Sequence, residues 1–365
     1  MLRQHFVSTA NAALEQFIRG IPLFALVGPE DMTDVLRLLR PVALREGDVL
    51  FREGEPGRAM WVIGDGCEVS MSATRGQARP VAVACVGAGA VIGEMALVDD
   101  GARSATAVVT RAGPAHQLDA LEFHAMRSTF VPAAYKVLRK ICLDLCTRLR
   151  ATNERIAPGA SRPSPTPSPA HERRPEPEEL AAFPAFAAMP AVVKLALAQK
   201  LELIEAPAGA VLFEEGDRSD GAYFLVEGEV SVGRAGAQLS TLSAGAMFGL
   251  VACIDAGPRS AACRTVRPAR LFRMSARQFE TLFEAGHRVA YQMVDLVARQ
   301  LVAHVRDATL LLARPTAKAP APATPAAAAP PERADLELDQ ALPLEFELDL
   351  SDLHDVDASS RPEIG

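Results

Sequence analysis

No stretch of the chain approaches the ~18–20 consecutive apolar residues that a membrane span requires, so none is expected. The first twenty residues hold no uninterrupted apolar core, which argues against a secretory signal. Six cysteines, at 67, 85, 142, 146, 253 and 263, form no CxxC pair and have no histidine cluster near them. That removes the usual spacing of zinc sites and redox pairs. Cys142 and Cys146 stand one helical turn apart, where a metal or redox pair would fit. Small apolar residues packed in a helix, in a reducing cytoplasm, account for them more simply. Basic charge is scarce as well. The net charge is −7, segment 334–357 holds nine acids and no Lys or Arg, and setting those acids aside brings the balance to +2. A near-neutral folded part offers no field for nucleic acid or an anionic membrane. Nothing pairs a nucleophile with a base, clusters metal ligands or forms a triphosphate-binding loop, so neither an enzyme nor a cofactor is expected. A cytoplasmic, non-catalytic protein is the resulting expectation.

Proline is present in quantity, with 27 residues unevenly spread. Residues 157–180 and 313–333 are dominated by Pro with Ser, Ala and charge, and read as extended linkers. They divide the chain into an N-terminal helix (1–20), a first domain (21–156), a linker (157–180), a second domain (181–312) and a Pro/Ala-rich, then acidic, disordered tail (313–365). The two domains are repeats of each other. LFREGEPG from Leu50 matches LFEEGDRS from Leu212 at an offset of 162, and Trp61-Val62-Ile63 with Gly66 matches Tyr223-Phe224-Leu225 with Gly228. At Arg103 and Arg259 the offset is 156, which places a six-residue insertion around Arg75–Pro80. Surface loops tolerate such insertions.

Apolar residues alternate or cluster at 48–51, 60–63, 68–71 and 81–86 between turn signals, and Asp65-Gly66 and Glu227-Gly228 sit where tight hairpins need positive φ. Many short strands predict a mainly β fold with flanking helices (α+β), each domain a small antiparallel barrel or jelly roll. Helices are predicted from Pro29 to Arg40, over 119–128, and over 132–156 with its counterpart 287–312. The last two carry apolar stripes: Leu138, Ile141, Leu145 and Leu149, and Val289, Met293, Leu296, Val297, Leu301 and Val305. Such stripes face a core, or, as the alternative, form a homodimer seam.

Residues 91–106 read VIGEMALVDDGARSAT, with an altered copy, MFGLVACIDAGPRSAA, at 247–262. The first copy sets a carboxylate, a guanidinium and exposed amides around one loop. A cyclic sugar-phosphate needs those groups: amides and Arg for its single negative charge, an acid for the ribose hydroxyl. A brace formed by a Glu94–Arg103 ion pair is the alternative. With the repeated barrel around them, these residues resemble the phosphate-binding cassette of cyclic nucleotide-binding domains. That family includes catabolite-activator-type regulators, protein kinase A regulatory subunits and cyclic-nucleotide-gated channels. The likeness covers roughly 21–150 and 183–310 and implies a cupin-like barrel. It also implies a ligand site at Gly93, Glu94, Met95, Ala96, Arg103, Ser104 and Ala105, with Leu97 beside them. Arg103 would take the phosphate, Glu94 the ribose 2′-OH, and Gly93 would let the backbone approach. The implied ligand is cAMP, with cGMP open; Thr147 and Asn153, on the helix after the barrel, are polar positions that could reach the base.

The second copy departs at one place. Leu250 stands where the first has Glu94, while Gly249, Arg259, Ser260 and Ala261 persist. Losing a charged hydrogen bond worth roughly 1.5–3 kcal/mol weakens binding about ten- to a hundredfold, so a degenerate or weak second site is expected. No helix-turn-helix follows the second barrel, and Arg173-Arg174 is a poor imitation of a kinase inhibitor segment. The resemblance therefore implies a regulatory protein acting through a protein effector, with the acidic tail 334–357 as a docking candidate. In that tail Leu344, Phe346, Leu348 and Leu350 alternate with acids. The alternatives are a scaffold of two retired sensor domains, or the regulatory subunit of a separately encoded kinase or other effector. Arg264, Arg267, Arg270, Arg273 and Arg277 read as a solvated rim rather than an anion surface.

Overall fold

Short strands punctuated by turns become two facing antiparallel sheets in each repeat. The computed structural model describes residues 12–74, 80–159 and 171–313. In the first repeat a helix over residues 12–19 (α1) leads to α2 (Pro29–Leu38). One sheet then runs in the order β1 (Leu39–Leu44), β8 (Gly113–Asp119), β3 (Ala59–Ile63), β6 (Val91–Ile92). The other runs β2 (Val49–Phe51), β7 (Thr106–Arg111), β4 (Glu68–Ala73), β5 (Val81–Val86). Alternating residues such as Val69, Ala107, Val109 and Ala115 fill the space between them. Helix α2 stops at Leu38, two residues before the expected end. Pro41 forces Arg40 into an extended conformation, and Leu39 and Arg40 open β1 instead.

Helices α3 (Ala120–Ser128) and α4 (Pro132–Ile156) follow the barrel. The expected linker is structured at its end: β9 (His171–Arg173) pairs with the second domain's edge strand, and Leu180 is fully buried. Arg173 is held there by Glu179 at 2.6 Å. Short helices α5 (Pro184–Ala187) and α6 (Ala191–Ala198) precede the second barrel. Its sheets are β9, β10 (Leu201–Ala206), β17 (Ala269–Ser275), β12 (Gly221–Glu227), β15 (Met247–Phe248) and β11 (Val211–Phe213), β16 (Ala262–Thr265), β13 (Glu229–Arg234), β14 (Ala237–Ser243). The β4–β5 hairpin joins the paired ends Ala73 and Val81, against Arg234 and Ala237 in β13–β14, so the longer connection lies where the offset changes. Helices α7 (Leu250–Ile254), α8 (Ala276–Glu284) and α9 (Arg288–Ala313) complete the domain.

The long helices α4 and α9 pack against each other, and their stripes join one hydrophobic core that draws on both domains. The stripes thus face a core within the chain, and the face that the alternative seam between two copies would use is occupied by the other domain's helix. Tyr135 stacks on Tyr291 with ring centroids 3.8 Å apart, and those two residues are 156 positions apart, the offset of the repeat. Cys142 and Cys146 are buried, unpaired thiols in α4, which is their bland reading. The acidic tail lies outside the described residues. Among those described, no helix is long and apolar enough to cross a membrane.

Candidate functional site

In the first domain Gly93 lies between β6 and a single 3-10 turn, Glu94–Leu97, and adopts φ 77°, the left-handed region. A side chain there would be strained, and its Cβ would fall 2.4 Å from Arg103 Nη1. The residue is glycine because Arg103 needs that space. Arg103 Nη1 donates to the Gly93 carbonyl at 3.1 Å, Nη2 donates to the Ala59 carbonyl, and the guanidinium lies 4.2 Å over the Phe51 ring. Its Nε is buried without an acceptor, and no carboxylate pairs with it among the described residues. Burial pulls its pKa below the ordinary arginine value, with Glu94 and Glu55 opposing.

The bracing Glu94–Arg103 pair does not form. Glu94 instead accepts from Arg148 of α4 at 3.0 Å, and Arg148 Nη1 also rests 3.6 Å from Met95 Sδ. Gly93, Glu94, Met95, Ala96, Arg103 and Ser104 line one open pocket of about 250 Å³; Ala105 is buried behind it. The expected helix is only this one turn, so the contribution of a helix dipole is small. Ala96 N–H is taken by the Gly93 carbonyl at 3.1 Å. The amides of Glu94, Met95 and Ser104 make no bond to other described residues. The cradle is therefore local amides plus one guanidinium, rather than a helix end.

The second domain repeats the framework around a smaller space. Gly249 has φ 72°, and Arg259 Nη1 donates to its carbonyl at 2.7 Å. Nη2 donates to the Gly221 carbonyl at 2.6 Å and also pairs with the Asp220 carboxylate. The guanidinium lies 4.0 Å over Phe213 and is fully enclosed, at 2% exposure. Asp220 in turn accepts from the Tyr223 hydroxyl. Leu250 is buried, packs into the shared core and lends an apolar wall to the pocket where Glu94 stands in the first domain. Gly249, Arg259, Ser260 and Ala261 line a space of only about 90 Å³, which Leu149 and Asn153 of α4 also wall. Asn153 thus serves the second domain's pocket rather than a base in the first. Thr147 bonds the Leu143 carbonyl at 3.2 Å and stays outside both pockets.

The cyclic nucleotide-binding domain family matches residues 41–129 and 203–285. Both repeats are domains of that family. It is similar to a cyclic nucleotide-gated potassium channel of Mesorhizobium japonicum, 32% identical over 129 residues, 35% of this chain and 34% of the channel. A CRP-like cAMP-activated global transcriptional regulator of Mycobacterium tuberculosis is 26% identical over 29% of this chain and 50% of its own length. The cAMP-dependent protein kinase type II regulatory subunit of Drosophila melanogaster is 24% identical over 80% of this chain and 67% of its own. The chain therefore spans about a third of the channel and half of the transcriptional regulator. Among solved structures, the regulatory domain of Toxoplasma gondii PKA with cAMP is 20% identical over 76% of this chain and 94% of that one, with a TM-score of 0.31.

Within this family frame, several participants were not singled out from sequence. Asp220 occupies the place of Arg58: Ala276 N–H donates to the Asp220 carbonyl as Ala120 N–H donates to that of Arg58. That charge reversal stands in the repeat alignment at offset 162 and was the available signal. Arg148, and Arg306 from α9, also line the first pocket, and no local motif marks them. Of the five clustered arginines, Arg277 lies on α8, and the other four are spent in ion pairs: Arg264 with Glu214, Arg267 with Glu229, Arg270 with Glu227 and Glu179, Arg273 with Glu202, Glu172 and Asp220. They form no anion surface.

Proposed function

We propose that this chain is a cyclic-nucleotide receptor that takes cAMP in its first domain and passes the event on through contacts with a protein effector. One contrast carries the reading. Arg103 is partly buried without a carboxylate, whereas its counterpart Arg259 is already neutralised by Asp220. A guanidinium withdrawn from water without a counter-ion is costly, and a cyclic phosphate monoanion supplies the missing charge. In this reading Arg103 and the amides of Glu94, Met95 and Ser104 hold the phosphate. Gly93, Ala96 and Ala105 keep the floor low, and Glu94 releases Arg148 to accept the ribose 2′-OH. cGMP meets the same phosphate and ribose groups; cAMP is favoured because the transcriptional regulator and the kinase subunit are named for it.

A scaffold of two retired sensors would account for the second domain but gives no reason for Arg103. Titration calorimetry on the full chain tests the reading. One equivalent of cAMP should bind, with Arg103→Gln and Glu94→Gln each weakening it about ten- to a hundredfold, the worth of a charged hydrogen bond. Absence of heat with both nucleotides at millimolar concentration would end it.

A further inference from the structure

Each cassette is gripped by the long helix of the other domain. Arg306 of α9 forks onto Asp99 with bonds of 2.5 and 2.8 Å, and Arg150 of α4 forks onto Asp255 with bonds of 2.5 and 2.8 Å. Both arginines and both aspartates are related by the repeat offset of 156. Each aspartate also accepts the amide of the glycine two residues on, Gly101 at 3.1 Å and Gly257 at 3.0 Å. Those glycines make room for the visiting guanidinium: a Cβ at Gly101 would lie 2.3 Å from Arg306, and one at Gly257 2.7 Å from Arg150. The Asp-x-Gly notch is thus a built seat, made twice.

The two seats differ in what lies beside them. Next to Asp255 the pocket is small, about 90 Å³, and its arginine is neutralised. Next to Asp99, Arg306 itself walls the open pocket together with Arg103 and Arg148. Arg306 also keeps a buried Nε–H with no acceptor among the described residues, as Arg103 and Arg259 do.

We propose that Arg306 is a ligand-binding residue of the first pocket supplied by the second domain, its charge shared between Asp99 and an anionic ligand. The second domain, its own arginine already paired, thereby completes the first pocket, and occupancy of that pocket is linked to the grip between domains. Linkage makes the effect reciprocal: a ligand that draws on Arg306 loosens Asp99, and loosening Asp99 favours the ligand. The inference rests on the receptor reading above.

The test uses the full chain, with fluorescent cAMP titrations and hydrogen exchange at residues 99–103. Arg306→Gln should weaken cAMP about tenfold, the loss of one charged hydrogen bond. Asp99→Asn frees Arg306 for the ligand and should leave affinity unchanged or higher. Arg150→Gln, the same clasp at the smaller pocket, should stay within about threefold of the parent, because sites that share no partner couple only weakly. Arg306→Lys, with charge but no fork, should fall between parent and Arg306→Gln. Exchange at 99–103 should rise in both Arg306→Gln and Asp99→Asn without ligand. If Arg306→Gln binds like the parent, or Asp99→Asn weakens binding as much as Arg306→Gln does, the clasp is only a brace and the inference is wrong. A parent protein that binds no nucleotide would instead overturn the receptor reading, and this inference with it.

Discussion

Arg103 and Arg259 occupy equivalent positions with opposite electrostatic fates, and a single residue, Asp220, makes the difference. Asp220 is 42% exposed at its side chain while Arg259 is enclosed, so the pair is half in water. Removing one partner of a buried pair commonly costs about 3–5 kcal/mol; screening at Asp220 lowers the expected cost of Asp220→Asn to about 2 kcal/mol. Urea denaturation should register that loss. Calorimetry should still find one equivalent of cAMP, because Leu250 and the small second cavity remain. At this scale the sequence was legible wherever a local pattern carried the chemistry. The motif's Gly and Arg come together in both copies: Gly93 and Gly249 precede their turns with positive φ, and Arg103 and Arg259 donate to the carbonyls of those glycines, bonds that the motif itself does not specify. Asp220 was harder to see because it lies 39 residues before Arg259, just ahead of β12 rather than in the cassette loop. Arg306 was out of reach altogether: its partner is 207 residues away and no period connects them.

Among the elements, α4 and α9 carry the most consequence. Their stripes were readable at three- and four-residue spacing, but the identity of the partner was not, since an apolar stripe fits a second copy as well as a second domain. Strand β9 was missed because a proline-rich segment gives no alternation, and its order comes from pairing with β10 and from Arg173–Glu179. Leu145 is 1% exposed in the core that α4 shares with α9. Leu145→Ala should therefore cost about 2–5 kcal/mol, the range for a buried leucine that leaves a cavity. Trp61, the single tryptophan, reports on the first barrel, and far-UV circular dichroism reports on both domains. With one shared core, the two signals should shift together in this variant. Separated midpoints would mean that the domains unfold independently.

For the whole molecule, the groups that tie it together titrate in two windows. Burial raises Asp99 and Asp255, but their arginine forks and glycine amides outweigh it and hold both carboxyls below the ordinary aspartate value. A lowered carboxylate stabilises the fold fully above the unfolded pKa, near 3.8, and that contribution fades as pH drops through the folded value. The clasps therefore persist at neutral pH and fail only in strong acid. His304, on α9 beside the smaller second pocket, behaves differently. Burial pushes its pKa from 6.5 down to about 4, against a small opposing pull from Asp307. Between those values the unfolded chain binds a proton that the folded chain refuses, so stability falls as pH drops from about 6.5 to 4. His116 is also lowered by burial and adds to the same slope. Urea midpoints measured from pH 7.5 to 3 should thus decline first through the histidine window and then more steeply through the aspartate one. His304→Gln should flatten the first decline and leave the second, while Asp99→Asn should do the reverse. If His304→Gln keeps the full slope above pH 4, that histidine is not what the second domain shelters from acid, and the enclosure of its pocket is looser than the packing of α9 implies.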